Sequence, residues 1–265
     1  MNENVEIAII GGTGVYDPGL LKDTKHVKIF TPFGATSDLI TIGNYNGTKI
    51  AFLARHGLSH HIPPHHIPAK ANLWALNQLG VKRIISPCAV GSLRPEMVPG
   101  DIVIPDQFFD FTKGREYTFY DGGEVGHISM AEPFCPELRK LAIQASKEVG
   151  VKLHESGTTV TIQGPRYSSR AESIYFRDAV KAHIVGMTLI PECTLARELE
   201  ICYVSIAAVT DYDAWSDEIV DTASVKKVME KNAQTIRQLL LKLIPMIPKE
   251  RNNCSCPHAL ENAMI

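Results

Sequence analysis

An α/β fold, one domain with a central mixed sheet flanked by helices, is predicted by three features of the sequence. Short β-branched apolar runs alternate with helical segments along the chain. The runs end in glycine- or proline-rich turns, as buried strands do. No repeat, low-complexity linker or shift in composition divides the 265 residues.

Residues 5–10 are β-branched and apolar and break at Gly11-Gly12-Thr13-Gly14, a strand entering a tight turn. Residues 49–54 and 81–85 read as further strands, and a helix over 69–79 stops at Gly80, a C-cap glycine. A short strand over 101–105 follows the turn Pro99-Gly100. Residues 111–134 have weak periodicity and many glycines and aromatics, which predicts a long loop or hairpin excursion; loops of that length are usually functional. A helix over 136–149 is ended by Gly150, and a strand over 158–162 precedes Gly164-Pro165. Ser169 and Glu172 have capping-box spacing and start a helix running toward Val180.

Pro191 and Glu192 suit the first turn of a helix reaching residue 200. Residues 201–209 are the most strand-like run of all. The last helix, over 222–244, carries Val225, Val228, Met229, Ile236, Leu239, Leu240 and Leu243 as its apolar stripe, and Pro245 and Pro248 end it. The main domain is expected over 1–248, with a polar, loosely held tail over 249–265 that carries Cys254-Ser255-Cys256.

The balance of 27 Lys+Arg against 29 Asp+Glu argues against a nucleic-acid partner, which selects a basic excess. No apolar run reaches bilayer length, and residues 1–6 carry no basic n-region or h-region. No membrane association is expected, and the expected location is cytoplasmic. The six cysteines, Cys88, Cys135, Cys193, Cys202, Cys254 and Cys256, fit this less easily. They would be reduced in a mesophile's cytosol, while intracellular proteins of hyperthermophiles are disulfide-rich.

Several segments can carry chemistry. Gly11-Gly12-Thr13-Gly14 lets backbone N–H groups converge on an anion, and fits a purely structural turn equally well. Neither the P-loop nor the dinucleotide fingerprint is complete there. Arg55-His56 follows a strand and could clamp a phosphate or form an ordinary ion pair with a surface histidine. Five histidines between positions 56 and 66 invite a metal reading. The interleaved prolines and the absence of a carboxylate favour a stiffened active-site loop, so no metal is expected. Asp211 and Asp213 end the most apolar strand, where α/β proteins place ligand contacts, and close carboxylates titrate as a pair. Tyr167 could stack on a flat ligand, Arg170 could pair with Glu172, and Met187-Thr188 reads equally as core.

Taken together these segments resemble the trimeric purine nucleoside phosphorylases. The resemblance covers about residues 5–245. It rests on Ile9-Ile10-Gly11-Gly12-Thr13-Gly14, Thr31-Pro32-Phe33-Gly34, Ala54-Arg55-His56-Gly57 and Gly91-Ser92-Leu93-Arg94. It continues through Pro99-Gly100-Asp101-Ile102-Val103, Met130-Ala131-Glu132-Pro133-Phe134-Cys135, Gly164-Pro165-Arg166 and Thr210-Asp211-Tyr212-Asp213. Each piece is weak singly; their order over most of the chain is specific.

The resemblance implies phosphorolysis of an N-glycosidic bond, with inorganic phosphate as co-substrate and no metal or organic cofactor. Thr13, Arg55, His56, the Ala89 backbone and Thr188 correspond to phosphate-binding residues. Met187 corresponds to a ribose contact, and Tyr167 and Ser168 to the base pocket. Cys88 stands where the family usually has a threonine. His127 corresponds to a residue lent by a neighbouring subunit, so a homotrimer or a dimer of trimers is implied.

Asp211 is expected to be protonated and to donate to purine N7, with Asp213 accepting from an exocyclic amine. Family members that take 6-oxopurines carry Asn in place of Asp211, so 6-aminopurines are favoured. Val225 and Val228 match positions of a methylthio pocket, which points to 5'-methylthioadenosine as substrate. A 6-oxopurine phosphorylase and a non-catalytic purine- or metal-binding protein are the alternatives. Cys135 and Cys202 are expected to be close in space. Cys254-Ser255-Cys256 is expected to close a small disulfide or to bridge to Cys193, making the cysteines staples of a heat-adapted enzyme.

Overall fold

Alternation along the first strand sets up the two faces of the sheet. In the computed structural model, which describes residues 5–12, 21–217 and 220–265, strand β1 spans Ile7–Gly11. Its Ala8 and Ile10 pack into one apolar cluster and its Ile7 and Ile9 into another. Side chains of a strand alternate between faces, so one run feeds both cores.

Around β1 lie β2 (Lys22–Val27), β3 (Ile40–Tyr45), β4 (Thr48–Ala54), β5 (Arg83–Ser92) and the short β6 (Ile102–Val103). Then come β7 (Gln107–Phe111), β8 (Leu153–His154), β9 (Thr158–Ile162), β10 (Ile184–Gly186) and β11 (Cys202–Asp211). All belong to one mixed sheet in the order β2-β3-β4-β1-β5-β10-β9-β7, with β11 on β5 and β6, and β8 on β6. Helices α1 (Ala69–Gln78) and α4 (Leu189–Glu198) cover one face, and α2 (Pro136–Val149) and α5 (Thr222–Met246) the other. Helix α3 (Arg170–Asp178) lies beside the turn at Asp213–Trp215.

The best-signalled elements form where their patterns put them. Helix α2 has Cys135 as N-cap, its sulfur accepting from Leu138 N at 3.5 Å, and Gly150 as a left-handed C-cap at φ 76°. The Ser169/Glu172 capping box is complete. Helix α5 runs past its predicted end because Pro245 sits in its last turn; the carbonyl of Leu241, which a proline cannot pair, accepts from the Tyr45 hydroxyl at 3.2 Å. Residues 112–135 contain no helix and only single bridges, matching the predicted excursion. Strands β2, β3, β7, β8 and β10 were not predicted.

The tail is not loosely held. Arg83 Nη2 donates to the carbonyls of Lys249 and Glu250 at 3.2 and 2.8 Å, and Arg251 Nη1 to that of Glu200 at 2.6 Å. Cys256 and Ala263 are buried. Val125 and Ile265 exchange backbone hydrogen bonds, and His127 N donates to Ala263 O at 2.8 Å. These few apolar and backbone contacts overrule the polar composition. No helix among the described residues is long and apolar enough to cross a membrane.

Candidate active site

The site sits where one edge of β5 changes partner. Along that edge β5 pairs in parallel with β1 at Arg83–Ile85 and antiparallel with β10 at Gly91 and Ser92. The other edge is filled by β11 throughout. Between the two partners the edge of β5 is open, and such a switch point is where α/β sheets leave a crevice. A cavity of about 190 Å³ occupies it. Lining it are Arg55, His56, Ala89, Tyr167, Ser168, Met187, Thr188, Asp211, Asp213 and Val225, ten of the thirteen residues proposed from sequence.

Two proposed residues, Val228 and His127, are not on its wall. Thr13 lies outside the described residues. Val228 is not among the lining residues, and Met229, one turn on from Val225, lines the cavity. His127 is fastened to the tail through its backbone and does not line the cavity of its own chain.

At one end stands Arg55, 1% exposed. Its Nε and Nη2 donate to the two oxygens of Glu192 at 2.9 and 3.0 Å, Nη2 also reaches Ser86 Oγ and Ile10 O, and Nη1 donates to Pro87 O. The hydroxyls of Ser86 and Tyr203 both donate to Glu192 Oε1 at 2.7 Å. Burial opposes the Arg55 charge, but Glu192 overrides it and holds the guanidinium charged. The fork is thus turned into the protein, leaving an Nη1 hydrogen for the cleft; it is not a bidentate anion clamp.

His56 follows it. Its Nδ1 lies 2.9 Å from Ile62 O, and a carbonyl can only accept, so Nδ1 carries the proton and Nε2 a lone pair. Burial, then the Arg55 charge, lowers its pKa from 6.5 to about 4. The neutral ring stacks on His60 at 4.4 Å between centroids. Because the unfolded chain binds this proton first, folding stability from His56 is full above pH 6.5 and is lost as pH falls toward about 4. His56→Asn keeps a donor toward Ile62, so it is expected to flatten the acid limb of chemical-denaturation stability by up to about 3 kcal/mol. An unchanged slope in the variant would refute the assignment.

The other end holds the aspartates. A β-bulge in β11 between Val209 and Asp211 sets Asp211 opposite Gly91. A Cβ at Gly91 would come within 2.8 Å of Asp211 Oδ1, so any larger residue there would push that carboxylate aside. Asp211 accepts from Thr210 Oγ1 at 2.7 Å and from the Asp213 backbone N–H at 2.8 Å. Asp213 is 3% exposed and adopts φ 49°, a left-handed conformation that Asp tolerates. Burial pushes its pKa up, against the nearby hydroxyls of Ser173 and Ser168. Burial thus readies Asp213 to hold a proton, beside the Asp211 to which the sequence reading assigned one. Asp213 Oδ2, Ser168 Oγ and Ser173 Oγ are buried and lack a hydrogen-bond partner within the chain.

Sequence reasoning missed several contributors. Cys88, noted from sequence only as replacing a threonine, lines the cavity with its thiol 3.4 Å from Ser205 Oγ, and burial pushes that thiol up. Arg115, from the long excursion, donates to the carbonyls of Met187, Ile190 and Gln163 and so ties together the segments after β9 and β10. Gly164 leaves room for Met187, whose Sδ would lie 2.6 Å from a Cβ there. Glu172 pairs with Arg166, at 2.7 Å for each of two bonds, and not with Arg170. None of these pairings has a local sequence signal.

Residues 6–245 match the phosphorylase superfamily. The chain belongs to that superfamily. Among curated relatives it is 52% identical to S-methyl-5'-thioadenosine phosphorylase of Saccharolobus solfataricus, over 100% of this chain and 98% of the relative. Identity to the protein of the same description from Thermococcus kodakarensis is 54%, over 98% and 99%. Among solved structures it resembles a methylthioadenosine phosphorylase from an Antarctic soil metagenomic library at TM-score 0.93 and 41% identity, covering 99% of this chain and 93% of that one. The Schistosoma mansoni methylthioadenosine phosphorylase bound to adenine matches at TM-score 0.91 and 38% identity, covering 98% and 97%. The superfamily and fold implied by the sequence motifs are therefore established.

Proposed function

We propose that this phosphorylase converts 5'-deoxy-5'-methylthioadenosine and inorganic phosphate to adenine and 5-methylthioribose 1-phosphate. The observation that carries the reading is the buried Asp213 Oδ2, an unpartnered carboxyl oxygen beside Asp211 in a cleft whose far end offers Arg55, His56 and Thr188. The full-length relatives described as methylthioadenosine phosphorylases support it.

The roles follow from chemistry. Phosphate binds at Arg55 Nη1, the Thr188 hydroxyl and the Ala89 backbone, with Thr13 assigned to the same group. His56 Nε2, a lone-pair acceptor, takes the hydrogen bond from the phosphate's own O–H and leaves the other oxygens to attack C1'. The glycosidic bond breaks through a cationic sugar, which the bound anion stabilises. The leaving purine takes its proton at N7 from the Asp211/Asp213 pair, one carboxyl being protonated and the other accepting from the N6 amine. Tyr167 and Ser168 hold the base and Met187 the ribose. Val225 and Met229, in place of the expected Val225/Val228 pair, receive the methylthio group. Phosphate is the co-substrate and no metal or organic cofactor enters the chemistry. The working unit is a homotrimer, or two such trimers, in which a neighbouring subunit lends His127. The catalytic body is 1–248, the tail is an accessory to it, and the enzyme works in the cytoplasm.

The test is adenine release across a nucleoside panel with and without phosphate. Release from methylthioadenosine is expected to require phosphate and to exceed inosine turnover at least about tenfold, a gap of 1.4 kcal/mol in transition-state binding. Equal release without phosphate would make the protein a nucleosidase, and faster inosine turnover would reverse the specificity.

A further inference from the structure

On the face of the sheet opposite α1 and α4, four cysteines from three distant parts of the chain converge. Cys135 caps α2, Cys202 opens β11, and Cys254 and Cys256 come from the tail. Their four sulfurs lie within 4.8 Å of one another, and those of Cys202 and Cys254 are 3.6 Å apart. Three of the four cysteines are buried and the other is half-buried. All six cysteines are free thiols, and Cys193, whose sulfur faces Pro133 O at 3.5 Å, stands outside the group. The expected Cys254–Cys256 and Cys193 bridges are therefore absent, while the expected closeness of Cys135 and Cys202 is observed.

We propose that Cys135, Cys202, Cys254 and Cys256 form a tetrathiolate site for a structural divalent metal of the zinc class. Tetrahedral zinc takes four thiolates at about 2.3 Å, so its sulfurs lie about 3.8 Å apart, within the spread seen here. The surroundings suit a charged cluster. Four thiolates around a dication carry two negative charges, and the Arg197 guanidinium faces them. Arg197 Nη1 lies 3.5 Å from Cys256 Sγ, its remaining protein partner is the Glu132 carbonyl, and its buried Nε is unpartnered. A buried guanidinium with no carboxylate partner among the described residues calls for another anion. The Cys135 sulfur already accepts a backbone N–H at the start of α2. Loading expels four protons to solvent and requires no oxidant.

Such a clip would fasten the tail to β11 and α2, and the tail in turn holds the backbone of Val125 and His127. It lies apart from the cleft, whose lining includes none of the four cysteines. The proposal stands independently of the reaction assigned above.

The experiment uses the full chain, purified under reductant and without chelator. Elemental analysis is expected to find about one zinc per chain, released by a thiol-specific mercurial, and Co²⁺ in its place is expected to give the absorption of a tetrahedral sulfur site. Cys254→Ser/Cys256→Ser is expected to lose the zinc and melt at lower temperature, while Cys88→Ser and Cys193→Ser keep it. If the double variant does not fold, the zinc content of Cys254→Ser, whose cysteine is the half-buried one, takes its place. A folded, reduced wild-type chain that takes up no Zn²⁺ from excess overturns the proposal. So do zinc that persists in the tail variants, and disulfides among these four cysteines in protein whose thiols were blocked at lysis.

Discussion

Asp213→Asn is expected to lower kcat/KM for methylthioadenosine by about 10²–10⁴-fold, the range that positioned acid catalysis supplies. The substitution is clean because Asn accepts the left-handed backbone that position 213 adopts, at φ 49°. The backbone N–H of residue 213, which donates to Asp211 Oδ1 at 2.8 Å, is also retained. What disappears is a carboxyl that burial holds ready to carry a proton. An amide has no proton to transfer to N7. Steady-state kinetics at saturating phosphate read the effect, and a loss below about threefold would remove the aspartate pair from the mechanism. Asp211→Asn is the companion: an amide there can serve O6 and N7 together, so the ratio of inosine to adenosine turnover is expected to rise. An unchanged ratio would undo the specificity argument while leaving the acid role to be judged by Asp213→Asn.

Glu192→Ala is expected to destabilise the fold by about 3–5 kcal/mol, because it leaves the Arg55 charge buried and unpaired. Arg55 cannot escape by losing its proton, and at 1% exposure it is almost wholly cut off from water. The substitution also removes the acceptor shared by the Ser86 and Tyr203 hydroxyls, two further hydrogen bonds of 2.7 Å. Denaturant titration measures the loss. Glu192→Gln, which keeps an oxygen for those hydroxyls but no charge, is expected to fall between wild type and Ala. Replacing both partners, as Arg55→Met/Glu192→Leu, is expected to harm stability less than Glu192→Ala alone, since no charge is then stranded. A loss below about 1 kcal/mol in Glu192→Ala would show that Arg55 has found another partner.

These two predictions mark where local sequence was readable and where it was not. Asp211 and Asp213 were legible because they end an apolar run, and strand ends are where α/β folds place ligand contacts. Which of the two is desolvated was not, since that depends on the bulge in β11 and on packing near α3. Glu192 had only a helix-start signal; its partner stands 137 positions away. Val228 and Met229 were indistinguishable in an apolar stripe, because the stripe faces both the core and the cleft and only the helix's rotation separates them. The strands that escaped notice were β3, buried over four of its six residues, β2 and β7, largely solvent-facing, and β8 and β10, of two and three residues. Elements as short or exposed as the last four carry little periodicity.

By itself the sequence determined the α/β class, the helices with strong caps, the apolar strands and, through motifs kept in order, the superfamily and most of the cleft's residues. These are properties of neighbouring residues: periodicity, capping and turn chemistry act over a few positions. The tertiary structure alone decided the Arg55–Glu192 pairing, the neutral tautomer of His56, the burial of Asp213 and the gathering of four cysteines behind the sheet. Each depends on distance and desolvation between segments far apart in the chain, and no local pattern encodes those.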